Sequence, residues 1–315
     1  MIRVGHLSTA YHSAVLLLGT GWAEEVIGQP VEWHLFPTGP DIVNRLEKGE
    51  LDFGYIGLTP AMIGIGRGVP IKCVAGGHVE GTVIAGKDQY CTLDEYGGDL
   101  KETFAQFRGK AIGTPKRGNI HEIILRHNLA QTGLDAEVSV VNYDSAELIA
   151  EGMAAGEVEA ASATPSITAY LGWFKQAFDS KVIVPPNRLW PWNPSYGVFA
   201  RTGLIEDQPA VVEAFLLAHE RALKHIREHP HEAAKTVAGV MELVDQAYVE
   251  QAFRVSPRYC GALPQEYIDS TLRFLDPLLG LGNLTRRLTQ DDIFDLRFIR
   301  ATHPEPHHYL DPVRW

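Results

Sequence analysis

Residues 51–62, Leu-Asp-Phe-Gly-Tyr-Ile-Gly-Leu-Thr-Pro-Ala-Met, limit the fold of this chain more than any other part of the sequence. Residues 51–56 are apolar and rich in aromatics, which predicts a short buried strand. Thr59 can cap a helix and Pro60 suits a first helical position, so we expect a helix to begin there. A strand that runs directly into a helix leaves backbone N–H groups at the helix start. Such groups bind anions without help from a charged side chain.

Strands and helices alternate on both sides of this stretch. Further strands are predicted at residues 2–7, 31–36, 71–75 and 82–85, and helices separate the earlier ones. This order, with short connections, predicts an α/β sheet. A long helix after Pro209 should bury an apolar face that contains Phe215 and Leu223, and the chain stays mostly helical to its irregular tail.

The strand-and-helix pattern then repeats. Residues 156–165, Gly-Glu-Val-Glu-Ala-Ala-Ser-Ala-Thr-Pro, echo residues 49–60, because each copy combines a Gly-Glu-apolar-acid sequence, a strand and a Thr-Pro helix start. Two copies indicate two similarly built lobes and not a solenoid. We place lobe I at residues 1–87 plus 198–315, which include the C-terminal helices, and lobe II at residues 88–197.

Small polar residues lie at the predicted strand-to-helix turns, at residues 9–13, 38–39, 57–59, 116–119 and 164–166. In an open α/β fold such turns gather at the carboxyl ends of the strands, where ligands bind. We therefore expect a ligand cleft between the two lobes.

Two of these turns allow more than one interpretation. Lys116 and Arg117 are cations at a helix start, where they oppose the helix dipole, so they either hold an anion or form a solvated surface pair. His12 either donates to an oxyanion or is a partly buried structural histidine. The segment from Trp190 to Tyr196 also allows two interpretations. Its aromatic side chains either line the cleft or pack the connection between the lobes against the core.

The charge of the chain restricts its partners. A formal net charge of −11 over 315 residues argues against nucleic acid and against an anionic membrane surface. A small anionic ligand stays compatible, since a local pocket can oppose the global charge. No apolar run approaches the ~18 residues of a membrane span. The opening Met-Ile-Arg-Val-Gly contains no signal peptide, so we expect a cytoplasmic protein or one whose leader has been removed.

Enzyme and metal motifs do not account for the chain. His121 and His127 are six residues apart and should point to different helix faces, whereas a zinc helix needs an i, i+4 pair. The three cysteines are isolated, which is typical of core thiols. The tail histidines, His303, His307 and His308, are better explained by a tail that is flexible or packed onto the protein than by a metal site. We expect neither a metal nor a cofactor.

Several of these motifs together resemble the solute-binding proteins of ABC importers, in the branch that takes nitrate, taurine, alkanesulfonates and thiamine-precursor pyrimidines. The resemblance covers nearly the whole chain. The motifs that carry it lie at residues 49–61, at 107–113 (Phe-Arg-Gly-Lys-Ala-Ile-Gly), at 156–165, at 196–198 (Tyr-Gly-Val) and at 256–260 (Ser-Pro-Arg-Tyr-Cys).

The resemblance implies a type II periplasmic-binding fold, in which two α/β lobes close over a ligand without chemistry. It implies a membrane permease as partner and a location outside the cytoplasm. Nitrate is disfavoured, because no tryptophan matches the one ahead of the first-lobe helix in nitrate binders, and a small organic anion or zwitterion is preferred. The candidate ligand-binding residues are Thr9, Ala10, Tyr11, His12, Thr38, Gly39, Gly57, Leu58, Thr59, Gly81, Lys116, Arg117, Gly118, Asn119, Thr164 and Tyr196.

The alternative classes are an enzyme on the same fold and a cytoplasmic ligand sensor. The resemblance extends to yeast-type thiamine-pyrimidine synthases, but their CCCFC motif is absent from this sequence. Menaquinone-pathway enzymes of the same fold stay open as a second enzyme class.

Overall fold

A computed structural model describes residues 1–174 and 177–315 of the chain. The strands, in chain order, are β1 (Ile2–Leu7), β2 (Val31–Phe36), β3 (Phe53–Ile56), β4 (Ile71–Val79), β5 (Val83–Lys87), β6 (Ala111–Thr114), β7 (Ser139–Asn142), β8 (Ala160–Ala163), β9 (Ser180–Val184) and β10 (Pro194–Arg201). The helices are α1 (Ser13–Thr20), α2 (Trp22–Ile27), α3 (Gly39–Glu47), α4 (Leu58–Gly66), α5 (Leu100–Ala105), α6 (Ile120–Thr132), α7 (Ala146–Ala155), α8 (Ile167–Trp173), α9 (Pro186–Leu189), α10 (Thr202–Asp207), α11 (Pro209–Glu228), α12 (Pro230–Met241), α13 (Gln246–Val255), α14 (Gln265–Arg273), α15 (Leu275–Gly280), α16 (Gln290–Ile293) and α17 (Arg297–Thr302).

The chain divides into two compact units. Unit 1 contains residues 1–79, 194–253 and 257–315, and unit 2 contains residues 80–193 and 254–256. These bounds differ slightly from the predicted ones of 87 and 198. Strand β5 belongs to unit 2 because it pairs with β8 and β9, and the first residues of β10 belong to unit 1 because β10 pairs with β3 and β4.

Each unit has its own five-stranded mixed sheet, and both sheets follow the same plan. The order in unit 1 is β2-β1-β3-β10-β4, and in unit 2 it is β7-β6-β8-β5-β9. Three neighbouring strands are parallel in each sheet, and the fourth runs antiparallel to both of its neighbours. The predicted α/β class is therefore confirmed, and the sequence echo corresponds to the equivalent strands β3 and β8.

The apolar pattern of the sequence explains the two cores. In unit 1, Phe215 of the predicted long helix stacks on Phe53 of the central strand, with ring centroids 4.2 Å apart. In unit 2 the core gathers around the central strand and α7 and contains Val83, Ala85, Ile149, Ala150, Met153, Val158, Ala161, Ala163, Ile167 and Leu171. None of the helices in the described ranges is both long enough and apolar enough to cross a membrane.

Candidate functional site

The first turn of unit 1 follows β1 and buries a histidine. Ala10, Tyr11 and His12 are buried, while Thr9 is half-buried. The Nδ1 atom of His12 has no hydrogen-bond partner among the described residues. Burial, with smaller contributions from two nearby histidines, lowers the pKa of His12 well below its usual value. His12 is therefore neutral and offers one imidazole nitrogen that no other group among the described residues uses.

Tyr196, at the start of β10, packs against this turn. Its ring centroid lies 4.1 Å from that of His12. The backbone N–H of Ser13 donates to the Tyr196 hydroxyl, and that hydroxyl donates to Ser13 Oγ, both at 3.1 Å. The ring fits because position 77 on β4 is glycine, where a Cβ would lie 2.1 Å from it. The buried Tyr196 ring thus packs against one side of the turn, and its hydroxyl is hydrogen-bonded to Ser13 within unit 1.

A buried polar network continues behind Ser13. His219 Nε2 lies 2.9 Å from the carbonyl oxygen of Gly76, which can only accept, so Nε2 carries the proton. Its Nδ1 accepts from the hydroxyl of Ser13 or Tyr55, each 3.1 Å away. The network fixes the start of α1 and leaves His12 Nδ1 outside it.

The second turn holds Thr38 and Gly39. The Thr38 side chain caps α3, since Asp41 N–H donates to its Oγ1 at 3.4 Å, and the hydroxyl donates to an Asp41 carboxylate oxygen. The polar atoms of this turn therefore serve their own helix, and Gly39 is buried at its first position.

The third turn corrects one sequence prediction. Helix α4 begins at Leu58 with Gly57 at the N-cap, and Gly57 has no side chain to offer as a cap. The prediction that Thr59 caps this helix is wrong, because Thr59 lies inside the first turn. Its hydroxyl is fully buried and has no partner among the described residues. An unpaired buried hydroxyl costs about 1–3 kcal/mol, so a ligand that bonded to it would recover that cost.

The first and third turns of unit 1 meet at Ser195. The Tyr11 and Ser195 hydroxyls lie 3.1 Å apart, and a Cβ at Gly57 would lie 3.5 Å from the Ser195 carbonyl oxygen. The loop after β1, the turn after β3 and the start of β10 therefore lie side by side at one edge of the sheet. Ser195 lies in the Trp190–Tyr196 segment that the sequence analysis singled out, whereas His219 was missed by sequence reasoning, and no spacing signal marks it.

Backbone N–H groups at the start of α6 in unit 2 donate to side chains of the same segment. Asn119 caps the helix, and its Oδ1 accepts from the N–H groups of His121 and Glu122 at 2.7 and 3.0 Å. The Gly118 N–H donates to Glu122 Oε2 at 2.5 Å. Lys116 and Arg117 precede this cap, and both side chains are exposed.

Unit 2 also buries a histidine near the start of α6. His121 Nδ1 lies 2.8 Å from the Thr82 hydroxyl, and Ser162 donates to the His121 carbonyl oxygen. Burial lowers the pKa of His121 to about 4. Thr114, at the carboxyl end of β6, has a buried hydroxyl without a partner among the described residues.

The other predicted residues also lie in unit 2. Gly81 is buried between β4 and β5, and Thr164 is half-buried in the turn before α8. The structure thus places the sixteen candidates in two groups, one in each unit. Unit 1 holds Thr9, Ala10, Tyr11, His12, Thr38, Gly39, Gly57, Leu58, Thr59 and Tyr196, and unit 2 holds Gly81, Lys116, Arg117, Gly118, Asn119 and Thr164.

Comparison with known proteins identifies the family of this chain and proteins with a similar fold. The profile of the NMT1-like family matches residues 2–242. A Bacillus subtilis (strain 168) protein, provisionally named an aliphatic sulfonates-binding protein, is 22% identical over 311 residues, which cover 96% of this chain and 88% of that protein.

Two solved structures match nearly the whole chain. The periplasmic aliphatic sulphonate binding protein SsuA from Escherichia coli has a TM-score of 0.78 at 15% identity, over 93% of this chain and 91% of its own. The periplasmic nitrate-binding protein NrtA from Synechocystis PCC 6803 has a TM-score of 0.72 at 16% identity, over 96% and 88%. The resemblance inferred from the sequence motifs is confirmed.

Proposed function

This chain belongs to the NMT1-like family, and on that premise we propose that it is the solute-binding component of an ABC importer. Relatives and structural neighbours that are named as binding proteins for aliphatic sulfonates and for nitrate support this function over an enzymatic one. The partner would be a membrane permease, and the protein would work outside the cytoplasm, as the periplasmic neighbours do.

The observation that carries the proposal is a pair of unpartnered polar atoms at one sheet edge, His12 Nδ1 and Thr59 Oγ1. They follow β1 and β3, which are neighbours in the sheet of unit 1. Unmet hydrogen-bonding capacity in buried groups is costly unless something satisfies it. We assign that role to the transported solute.

The solute that fits best is a small organic anion or zwitterion. The start of α4 has no side-chain cap, so the N–H groups of Leu58 and Thr59 and the positive end of the helix dipole favour an oxyanion. His12 and Thr59 add neutral hydrogen-bonding groups. Lys116 and Arg117 contribute charge as long-range attraction, and closure of the lobes over the solute stays a prediction.

The test is binding of candidate solutes to the purified protein by calorimetry and thermal shift. The panel contains taurine, ethanesulfonate, nitrate and a hydroxymethylpyrimidine. At 100 times its Kd, a true solute adds about 2.7 kcal/mol to the free energy of unfolding. Mass spectrometry of the released solute should show it unchanged.

The matched variants are Thr59→Val and Thr20→Val. Removing a hydrogen bond to a charged solute costs about 1.5–3 kcal/mol, so Thr59→Val should raise the Kd at least tenfold. Thr20 ends α1, where its hydroxyl bonds to the Leu16 carbonyl oxygen, and this variant should bind as the wild type does. A chemically altered solute, or equal binding by Thr59→Val, would refute the proposed role of this site.

A further inference from the structure

The C-terminal tail of unit 1 brings two histidines and two carboxylates together. His303 follows the last residue of α17 and is buried, Glu305 and His308 lie on the tail beyond it, and Glu220 lies on α11. The ligand atoms of His303, Glu305 and His308 all lie within 4.8 Å of one another. This set lies outside the strand-end turns described above.

Two carboxylates lie beside the Nδ1 atom of His303. Its Nε2 lies 3.4 Å from the carbonyl oxygen of Pro306, which can only accept, and a proton on Nε2 satisfies that contact. Nδ1 faces Glu220 Oε2 at 2.8 Å and Glu305 Oε1 at 3.7 Å. With the proton on Nε2, either a second proton or a metal ion lies between these three atoms, because ionised carboxylates cannot donate.

His308 also has an acceptor oxygen beside one ring nitrogen and Glu305 near the other, but here Nδ1 faces the first acceptor and Nε2 faces Glu305. Its Nδ1 lies 2.8 Å from Asp311 Oδ2, which fixes the proton on Nδ1, and its Nε2 lies 3.9 Å from Glu305 Oε1. A carboxylate behind a histidine is the usual support for a metal ligand, because it orients the ring and raises its basicity. The Nε2 lone pair of His308 therefore points toward the same place as His303 Nδ1.

Glu220 gives the second, independent sign of a missing cation. Its Oε1 is buried and has no hydrogen-bond partner among the described residues. A Cβ at Gly261 would lie 1.8 Å from this oxygen, so the carboxylate fits only because position 261 is glycine. A proton on His303 satisfies one oxygen of Glu220 and leaves the other one unpaired.

We propose that His303 Nδ1, Glu305 and His308 Nε2 bind a Zn²⁺ ion beside Glu220, whose Oε2 lies 2.8 Å from His303 Nδ1. Tetrahedral Zn²⁺ with bonds of about 2.0–2.1 Å places its ligand atoms about 3.4 Å apart. Glu305 Oε1 lies 3.7 Å from His303 Nδ1 and 3.9 Å from His308 Nε2, close to that spacing. Mixed imidazole and carboxylate ligands favour zinc over magnesium or calcium. The ion ties the tail to the end of α17.

Cys260 positions both histidines without binding the ion. Its sulfur accepts from the backbone N–H of His308 at 3.3 Å and lies 3.7 Å from His303 Nε2. That contact is on the side of the His303 ring opposite to the ion. The thiol therefore holds the tail in register with α17.

The test uses untagged full-length protein that has been treated with a chelator and then titrated with Zn²⁺ in a calorimeter. We expect one ion per chain and a raised melting temperature. Cobalt should give the visible absorption of a four-coordinate site. Glu305→Gln and His308→Ala change partly exposed side chains, so both should fold, and each should weaken zinc binding at least tenfold.

The control variant is His231→Ala. His231 Nδ1 also lies 2.8 Å from a carboxylate, that of Glu250, and this variant should bind zinc as the wild type does. Wild-type protein that binds no zinc, or variants at Glu305 and His308 that bind it equally well, would show that only a proton joins His303 to Glu220. Solute binding by His308→Ala is expected to be normal, so this result is independent of the proposed transport function.

Discussion

His12 and His121 follow the equivalent strands β1 and β6, each of which lies second in the sheet of its own unit. Both histidines are buried, and burial lowers the pKa of each, so both are neutral at pH 7. His121 Nδ1 lies within hydrogen-bond distance of Thr82, whereas His12 Nδ1 has no partner among the described residues. In unit 2 the Nδ1 atom of the buried histidine therefore has a partner within the unit. In unit 1 the equivalent atom is available to a ligand.

The starts of the helices that follow these two strands also differ in their capping. Asn119 caps α6 with two hydrogen bonds, whereas α1, which follows the equivalent strand β1, begins after His12 without a side-chain cap. One sheet plan thus supports two different chemistries at its carboxyl edge. The comparison shows that the repeated frame sets where the turns lie, and that single side chains decide whether a turn can receive a ligand.

The largest expected effect is an acid-induced loss of stability that depends on His121. Its pKa is about 4 in the folded protein and about 6.5 when unfolded, so the unfolded state gains the proton first as the pH falls. The free energy of unfolding should therefore drop by about 3 kcal/mol between pH 6.5 and pH 4, and should level off below that range. Urea unfolding of wild type and His121→Gln at pH 7 and pH 4 measures this.

His12→Gln extends the same experiment to unit 1. The pKa of His12 is also lowered, so this variant should likewise reduce the drop. A His121→Gln protein whose stability falls as steeply as that of the wild type would show that the buried imidazole accepts its proton without penalty.

The next effect concerns the acids that precede the central strands, Asp52 in unit 1 and Glu159 in unit 2. Asp52 is bonded to Arg3 and Arg201, at 2.9 and 3.1 Å, and Glu159 is bonded to Lys87 at 3.2 Å. Asp52→Asn should cost about 2 kcal/mol, below the usual range for a broken buried pair because both arginines reach solvent. Glu159→Gln should cost about 1 kcal/mol, since its carboxylate is more exposed.

The pH dependence of the Asp52→Asn variant provides a second test of the role of this carboxylate. Burial opposes ionisation of Asp52, but its bonds to Arg3 and Arg201 outweigh that effect and lower its pKa. The stability that Asp52 adds is therefore present above about pH 4 and is lost as the pH falls through its folded pKa. Urea unfolding at pH 7 and pH 3 should show wild type and Asp52→Asn approaching each other in acid. Equal costs for the two variants at pH 7 would contradict the asymmetry between the units.

The smallest effect compares two buried hydroxyls. Thr59→Val removes a hydroxyl that has no partner among the described residues, so it should raise the free energy of unfolding by about 1 kcal/mol in the absence of solute. Ser162→Ala removes a hydroxyl that donates to the His121 carbonyl oxygen, so it should lower that free energy by a similar amount. Calorimetric melting of the solute-free variants measures both signs, and a destabilised Thr59→Val would mean that its hydroxyl is already bonded.

Local patterns in the sequence were enough to predict the strands, most helices and the repeated frame. The prediction for Thr59 failed for a physical reason. The first residues of any helix lack an intrahelical N–H partner, so proline is tolerated at several of those positions and does not mark the first one. The chain enters α4 two residues earlier than the Thr-Pro signal predicts, at Leu58 instead of Pro60.

The sequence by itself determined that this chain is an α/β protein with two similar halves and polar turns after its strands. Only the tertiary structure decided which polar atoms are used up, because those contacts join residues far apart in the chain. Ser13 meets Tyr196 and His219, and the Tyr11 and Ser195 hydroxyls meet across 184 positions, since β10 returns to the first sheet beside β3. Periodicity reports local geometry, and it contains no information on strand register or on burial across such distances.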